Sequence, residues 1–299
     1  MSGPTVYSAG DYGDMITCEP RMPAYAEALR QAVTPGCTVT DIGAGTGIFS
    51  LLACQYGAAK VTAIEPADAV MLLREAAEAN GYAERITVVQ GLSTEHVPEQ
   101  KADVIVSDIR GSLPLFEHHI ATIVDARERL LAPAGTLIPM RDTIRAALVQ
   151  HPDGYLSREE PWLRNNYSLD LSAGHRYAVN TWSKVSLQPE QLQSESVELA
   201  VLDYRTITNP NMSGTVTLHA DKDGTAHGLL LWFDADLAPG IGYSNAPGQP
   251  KLVYGQSFFP FERPLTLAKG DRVEATVKAN LIDGSYVWSW TSRLFRGTA

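Results

Sequence analysis

The sequence predicts an α/β unit built on a parallel sheet, followed by an antiparallel β-barrel or sandwich, and three observations carry that expectation. Short apolar strands alternate with helix-patterned segments over residues 37–140. A glycine-rich run, VTDIGAGTG, stands where the first of those strands gives way to a helix. After Pro139 the pattern changes to alternating apolar and polar residues, separated by Gly, Pro, Asn and Asp clusters, as in antiparallel strands.

Taken in order, MPAYAEALRQAV (Met22 to Val33) repeats Tyr25, Leu29 and Val33 at helical spacing and is stopped by the TPG that follows. CTVTDI is then a strand, IFSLLACQYGA a helix, KVTAIE a short buried strand, and DAVMLLREAAEANG a helix ended by Gly81. RITVVQG and ADVIVSD supply the third and fourth strands, the latter ending at Asp108. The loop SDIRGSLPLFEHH leads into a helix from about Leu115 to Leu131, and AGTLIP closes the unit. Beyond it TIRAALVQ, SVELAVLDY, GTVTLHA, GLLLWFDADL, PLTLA and RVEATVKANL read as antiparallel strands. The weakly periodic, aromatic- and polar-rich stretch after TIRAALVQ is expected to protrude as an arm over about 155–182. The division is therefore an N-terminal segment and helix, 1–36, an α/β domain, 37–140, and a β domain, 141–299.

Of 299 residues 44% are hydrophobic, ample for a sizeable core. Lys and Arg number 24 against 34 Asp and Glu, a net charge of -10 with no basic run, which argues against nucleic acid or an anionic membrane as partner. Cationic or neutral substrates fit better. Cys18, Cys37 and Cys54 form an odd set without CxxC spacing, so neither a disulfide framework nor a zinc site is expected, and no metal is called for. The opening MSGPTVYSAGDYGDM has no basic and apolar leader pattern, and no apolar run approaches the ~20 residues of a bilayer span. A soluble cytoplasmic protein is the expectation.

In the glycine run, Gly43, Gly45 and Gly47 let a ligand approach the backbone. The spacing is GxGxG, with Ile48 where a dinucleotide fingerprint wants its third glycine. Glu65 ends the second strand, where its carboxylate can accept hydrogen bonds from both hydroxyls of a ribose. Asp41 stands before the first glycine and is read either as a ligand contact or as a buried acid that orders the loop. Strand, glycine loop, helix, strand and terminal acid together describe a nucleoside pocket. The ordering resembles that of class I S-adenosylmethionine-dependent methyltransferases, which implies S-adenosyl-L-methionine as cofactor, with the adenine near Leu92 and Ser93 and a Rossmann-like domain around it.

SDIRGSLPLFE sharpens the resemblance to the protein arginine methyltransferase family, whose double-glutamate loop has the form S-E-x-M-G-x-x-L-x-x-E. Ser107, Gly111 and Glu117 fall in register, Asp108 stands at the first glutamate, and Arg110 stands at the methionine. The N-terminal YSAGDYGDMITCEPR is similar to the family's cofactor-covering segment, with Tyr7, Tyr12, Met15 and Arg21 at its matching positions and Arg21 set to meet the cofactor carboxylate. The resemblance implies a class I methyltransferase domain, a β-barrel with a protruding dimerisation arm, and a head-to-tail homodimer. Two departures stand out. The family's Thr-His-Trp loop falls at KLVYGQSFF, with Val253 and Tyr254 in place of histidine and tryptophan, and the acidic loop has gained a cation.

Methyl transfer is an in-line displacement, so the acceptor lone pair must be held on the methyl axis with water excluded. An arginine acceptor arrives charged, and two carboxylates, Asp108 and Glu117, hold a guanidinium by paired charge-assisted hydrogen bonds. Arg110 either pairs with one of those acids or reaches the pocket to bind an anion on a smaller substrate. His118 or His119, beside Glu117, is a candidate general base. The leading reading is a methyltransferase acting on a guanidino or amine nitrogen of a peptide or small molecule. The alternatives are an O-, N- or C-methyltransferase for a small metabolite, with Arg110 and a nearby histidine in substrate contact, and an inactive cofactor-binding scaffold, against which the intact DIGAGTG loop and Glu65 speak.

Overall fold

The structure is a computed structural model that describes residues 7–164 and 166–297. The extreme ends of the expected N-terminal and β domains, and Asn165 within the expected arm, lie outside those residues. The chain opens with helix α1 (Ala9–Ile16), capped by Ser8, whose hydroxyl accepts from the Asp11 amide at 3.2 Å. Helix α2 (Arg21–Ala32) follows and buries Tyr25, Ala28 and Leu29, the face that the helical spacing marks.

Strand β1 (Thr38–Ile42), α3 (Ile48–Gln55), β2 (Lys60–Glu65), α4 (Val70–Ala79), β3 (Ile86–Gln90) and β4 (Ala102–Ser107) then alternate as the sequence implies. The next helix begins later than expected. Pro114 and a left-handed Glu117 (φ 41°) hold the chain in a loop, so α5 spans only His119–Asp125 and runs on as a π-helical turn to Leu130 before β5 (Leu131–Ile138). The five strands form one parallel sheet in the order β3-β2-β1-β4-β5. That order reverses direction between β1 and β4, so the loops leaving the carboxyl ends of these two strands, 43–47 and 108–117, face a common crevice.

Past Pro139 the chain becomes antiparallel. Strand β6 (Arg141–Val149) leads into an excursion made of α6 (Pro152–Leu163), two 3-10 turns and α7 (His175–Ala178), where the arm is expected. The strands β7 (Ser183–Val185), β8 (Val197–Asp203), β9 (Met212–His219), β10 (Gly224–Ala238), β11 (Ile241–Ser244), β12 (Gln256–Leu267), β13 (Arg272–Ile282) and β14 (Ser285–Phe295) follow. They form two hydrogen-bonded sheets, β7-β12-β10-β6-β8 with β11 on β10, and β14-β13-β9. Alternation along β13, which buries Val273, Ala275, Val277 and Ala279, turns one face of the smaller sheet onto Phe259, Leu229 and Ile144 of the larger.

The two units share a core. Phe233, Leu237, Tyr243 and Tyr254 of the β domain pack in one cluster with Tyr25, Phe49, Val106 and Ile138. This continuity places the tip of β11 and the loop before β12 against the carboxyl ends of β1 and β4. Among the described residues no helix is long and apolar enough to cross a membrane.

Candidate active site

Two adjoining cavities open at the switch point, of about 460 and 410 Å³. They share Gly43, Pro66, Ile109, Phe116 and Glu117, so they form one trough bent around the end of β1. Gly43 sits at φ +71°, and a Cβ there would come within 2.3 Å of Ile109 Cγ2. Only glycine lets the loops after β1 and β4 approach this closely.

Glu65 closes the trough at the end of β2. Its Oε2 accepts from the Gly45 amide at 2.9 Å and its Oε1 from the Ala67 amide at 2.8 Å. Each carboxylate oxygen has a second lone pair, so a diol can still bind. Leu92 and Ser93 border the second cavity, and Leu92 is exposed there. Helix α1 lies over the first cavity and contributes Tyr12 and Met15, with Tyr7 just before it. Burial, with the Glu65 charge behind it, pushes the Tyr12 phenol up to about 12, so it stays a neutral hydroxyl.

Two expected cofactor contacts fall elsewhere. Asp41 is fully buried and lines neither cavity. One of its oxygens accepts from Ser50 Oγ at 2.7 Å, tying β1 to α3. Burial raises its carboxyl to about 7 against the Ser50 hydrogen bonds. It is the buried acid that orders the loop. Gly47 likewise serves the fold: at φ +86° it is the N-cap of α3, and a Cβ there would meet Leu73 Cγ at 2.5 Å.

The acceptor side departs further from the sequence reading. Asp108 lines the trough, but its carboxylate is taken. Arg21 Nε donates to Oδ2 at 2.5 Å, the Tyr254 hydroxyl donates to the same oxygen at 2.5 Å, and Arg110 Nε donates to Oδ1 at 3.1 Å. Burial alone would raise its pKa, but the two guanidinium groups and the Tyr254 hydrogen bond outweigh it and hold it at about 2.

Arg110 does not reach out toward a ligand. Its side chain is fully buried, Nη1 donates to Asp142 at 2.8 Å, and Nη2 donates to the hydroxyls of Tyr25 (2.5 Å) and Tyr243 (2.6 Å). Its guanidinium also stacks 5.3 Å from the Phe233 ring centroid. Burial disfavours the charge, yet Asp142 and its neighbours keep Arg110 protonated. Of the two roles open in the sequence, the structure gives Arg110 the intramolecular pair, with Asp108 on one side and Asp142 on the other.

His119 is drawn into the same network. It is buried, and its Nε2 lies 3.1 Å from the Tyr204 hydroxyl, which itself donates to Asp142 at 2.5 Å. Nε2 is therefore the protonated nitrogen. Burial, and then the Arg110 charge, push His119 down to about 3. So weak a base is unsuited to proton removal near neutrality, which corrects its expected catalytic role. Glu117, by contrast, is exposed and borders both cavities.

Asp142, Tyr243 and Lys184 were not singled out from the sequence. An acid in the otherwise apolar inward face of RDTIRAALV was the available signal for Asp142, which is 0% exposed. Tyr254, in the segment KLVYGQSFF, brings its hydroxyl to Asp108 across the domain boundary. Among the described residues no cluster of His, Cys, Asp and Glu is arranged to hold a metal.

Residues 141–287 match the model of the arginine methyltransferase oligomerization subdomain, and residues 25–140 match that of ribosomal protein L11 methyltransferase. Among curated proteins, a probable protein arginine N-methyltransferase 6 of Arabidopsis thaliana is 29% identical over 83% of this chain and 59% of its own length. Protein arginine N-methyltransferase 1 of Dictyostelium discoideum is 25% identical over 90% of this chain and 81% of its own. The chain thus spans less than two thirds of the Arabidopsis relative. Among solved structures, the Trypanosoma brucei PRMT1 enzyme-prozyme complex with AdoHcy superposes with a TM-score of 0.87, at 22% identity, over 97% of this chain and 99% of that one.

Proposed function

This chain belongs to the protein arginine methyltransferase family, and from that premise we propose that it transfers a methyl group from S-adenosyl-L-methionine to a guanidino or amine nitrogen of a peptide or small molecule. The observation that carries the reading is the trough at the switch point, where a glycine without room for a Cβ, the strand-end Glu65 and Arg21 line one continuous cavity. The cofactor fits that donor set. Glu65 would take the ribose hydroxyls, Leu92 and Ser93 the adenine, and Tyr12 and Met15 would cover the chain. Arg21 Nη2, which makes no hydrogen bond among the described residues, would take the carboxylate.

The bound cofactor supplies an electrophilic methyl on a sulfonium. Held by Glu65, Arg21, Tyr12 and Met15, that methyl would be open to an acceptor lone pair, and this chain's residues would orient the acceptor, exclude water and take up the proton it releases. Glu117 is the acid placed to hold an amine or guanidinium and to draw off that proton. Asp108, paired to two arginines, positions Arg21 and the loop.

A second reading, a small-metabolite acceptor methylated on O, N or C, is favoured by the Asp108 pairing, because a cationic acceptor loses one arm of the two-acid clamp. In either case a head-to-tail homodimer is the proposed assembly, supported by the oligomerization-subdomain match and by exposed Leu156, Leu163, Tyr167 and Tyr177 on the arm.

Calorimetry with S-adenosylmethionine and its demethylated product tests the cofactor, and absence of binding would sink both readings. Transfer of labelled methyl to free arginine, an arginine-rich peptide and a metabolite extract then separates the acceptors.

A further inference from the structure

A third cavity, of about 1040 Å³, adjoins the first and shares Lys184 and Val253 with it. Lys184 therefore stands at the doorway between open groove and acceptor site. Its position is built. Nζ donates to the Val253 carbonyl at 2.5 Å, which spends one of its three N–H bonds. Its stem lies across Gly255, at φ +62°, where a Cβ would sit 3.1 Å from both Cγ and Cε of the lysine and 2.7 Å from the Val185 carbonyl. A side chain at 255 would displace it.

Lys251 lines the same groove and is close enough to disfavour the Lys184 charge, after the larger effect of burial. Neither lysine is in an ion pair among the described residues, although Asp14 and Glu19 border the same cavity. Further in, the charges cancel: Arg21 and Arg110 face Asp108 and Asp142. Glu117 and Lys184 line the same trough, the acid within it and the ammonium at its mouth. Both lysines thus offer ammonium N–H donors to one groove in which neither nearby acid pairs with them, so an anion entering there would gain charge-assisted hydrogen bonds from both.

We propose that Lys184, supported by Lys251, is an anion-recognition position at the mouth of the acceptor site, so that the acceptor carries a carboxylate or phosphate on the end remote from the methylated atom. The assignment of that end to the acceptor rests on the methyltransferase reading; the anion position itself does not. With an amine directed to Glu117 and an oxyanion to Lys184, the site fits an ampholyte or an acidic metabolite rather than a cationic peptide tail.

The test uses the full-length protein labelled with [13Cε]lysine, whose seven lysines give few signals. The product S-adenosylhomocysteine is first titrated calorimetrically, then succinate and inorganic phosphate are titrated in separate arms at constant ionic strength. The Lys184 and Lys251 signals are expected to shift saturably with one of the two anions, leaving exposed Lys60 and Lys278 unmoved. Lys184→Gln is expected to weaken that binding at least about tenfold, as loss of one charge-assisted hydrogen bond does. Lys251→Gln, further from the built position, serves as the milder second variant. Uniform, non-saturating shifts across all lysines, or undiminished binding in Lys184→Gln, would overturn the proposal. Saturable anion binding without S-adenosylhomocysteine binding would instead keep the anion position and sink the methyltransferase reading.

Discussion

The cofactor half of the trough and its acceptor half are built by opposite means. In the cofactor half a local run of chain does the work: the loop after β1 and the acid ending β2 meet through a 2.9 Å hydrogen bond from Gly45 to Glu65. In the acceptor half one short loop is fixed by distant elements, since Arg110 is held by Tyr25 of α2, Asp142 of β6 and Tyr243 of β11. The first arrangement leaves ligand-binding capacity open. The second uses up the charge of Asp108 within the protein, which teaches that an acid lining a cavity can belong to the fold.

The largest expected effect breaks the acceptor half. Arg110→Met, which restores the family's residue, leaves Asp142 and Asp108 buried with one partner fewer and is expected to cost about 3–5 kcal/mol of stability. Arg110→Met with Asp142→Asn is expected to recover most of that loss in chemical denaturation. If the single variant is as stable as wild type, the buried pair is not what joins the two units. On the cofactor side, Gly43→Val forces a β-branched residue to φ +71° and into Ile109. Its expected outcome is a loss of S-adenosylhomocysteine affinity of about 100-fold or more, read by calorimetry. Binding within a few-fold of wild type would show that the loops need not meet.

Asp108→Asn and Glu117→Gln sharpen the comparison. Asp108→Asn is expected to lower stability and cofactor affinity together, because it releases Arg21. Glu117→Gln is expected to reduce turnover by about 10²–10⁴-fold, as for loss of a general base, with little change in melting temperature. Equal effects on stability would erase the distinction drawn between these two acids.

The least direct test is the pH dependence of stability, where the two halves contribute with opposite sign. His119 has a folded pKa depressed to about 3, so its contribution is present above its unfolded value near 6.5 and lost as pH falls toward 3. Asp41 has a folded pKa raised to about 7, so its contribution is present below about 3.8 and lost as pH rises through 7. The two windows overlap between about 3.8 and 6.5, where the slopes oppose each other, so His119→Gln should tilt the profile toward loss of stability with rising pH and Asp41→Asn toward gain. Each difference is expected to be on the order of a few kcal/mol across its window. Parallel profiles in all three proteins would remove both assignments.

What was legible in the sequence follows the same division. Strand, glycine loop, helix and strand-end acid are consecutive, so the alternation of the α/β half and the residues Glu65, Gly43 and Gly45 that line the trough could be read in place. The loop SDIRGSLPLFEHH could be located but not resolved, because which acid Arg110 meets depends on Asp142, 32 residues on, and Tyr243, 133 residues on. Asp41 was open and Gly47 was read as a ligand contact for a related reason: an acid or glycine beside a ligand loop serves the fold or the ligand according to which way it faces. The helix expected from Leu115 starts at His119 because Pro114 and the left-handed Glu117 keep Leu113 and Leu115 in a loop that packs them into the core beside Ile105 and Ile120.

A crystal structure of the protein with S-adenosylhomocysteine tests the central claim most directly. The account expects the nucleoside on Glu65, and Arg110 still bonded to Asp108 and Asp142 with its guanidinium out of the acceptor cavity. An Arg110 side chain swung into that cavity, leaving Asp108 open beside Glu117, would contradict it and restore the two-acid clamp.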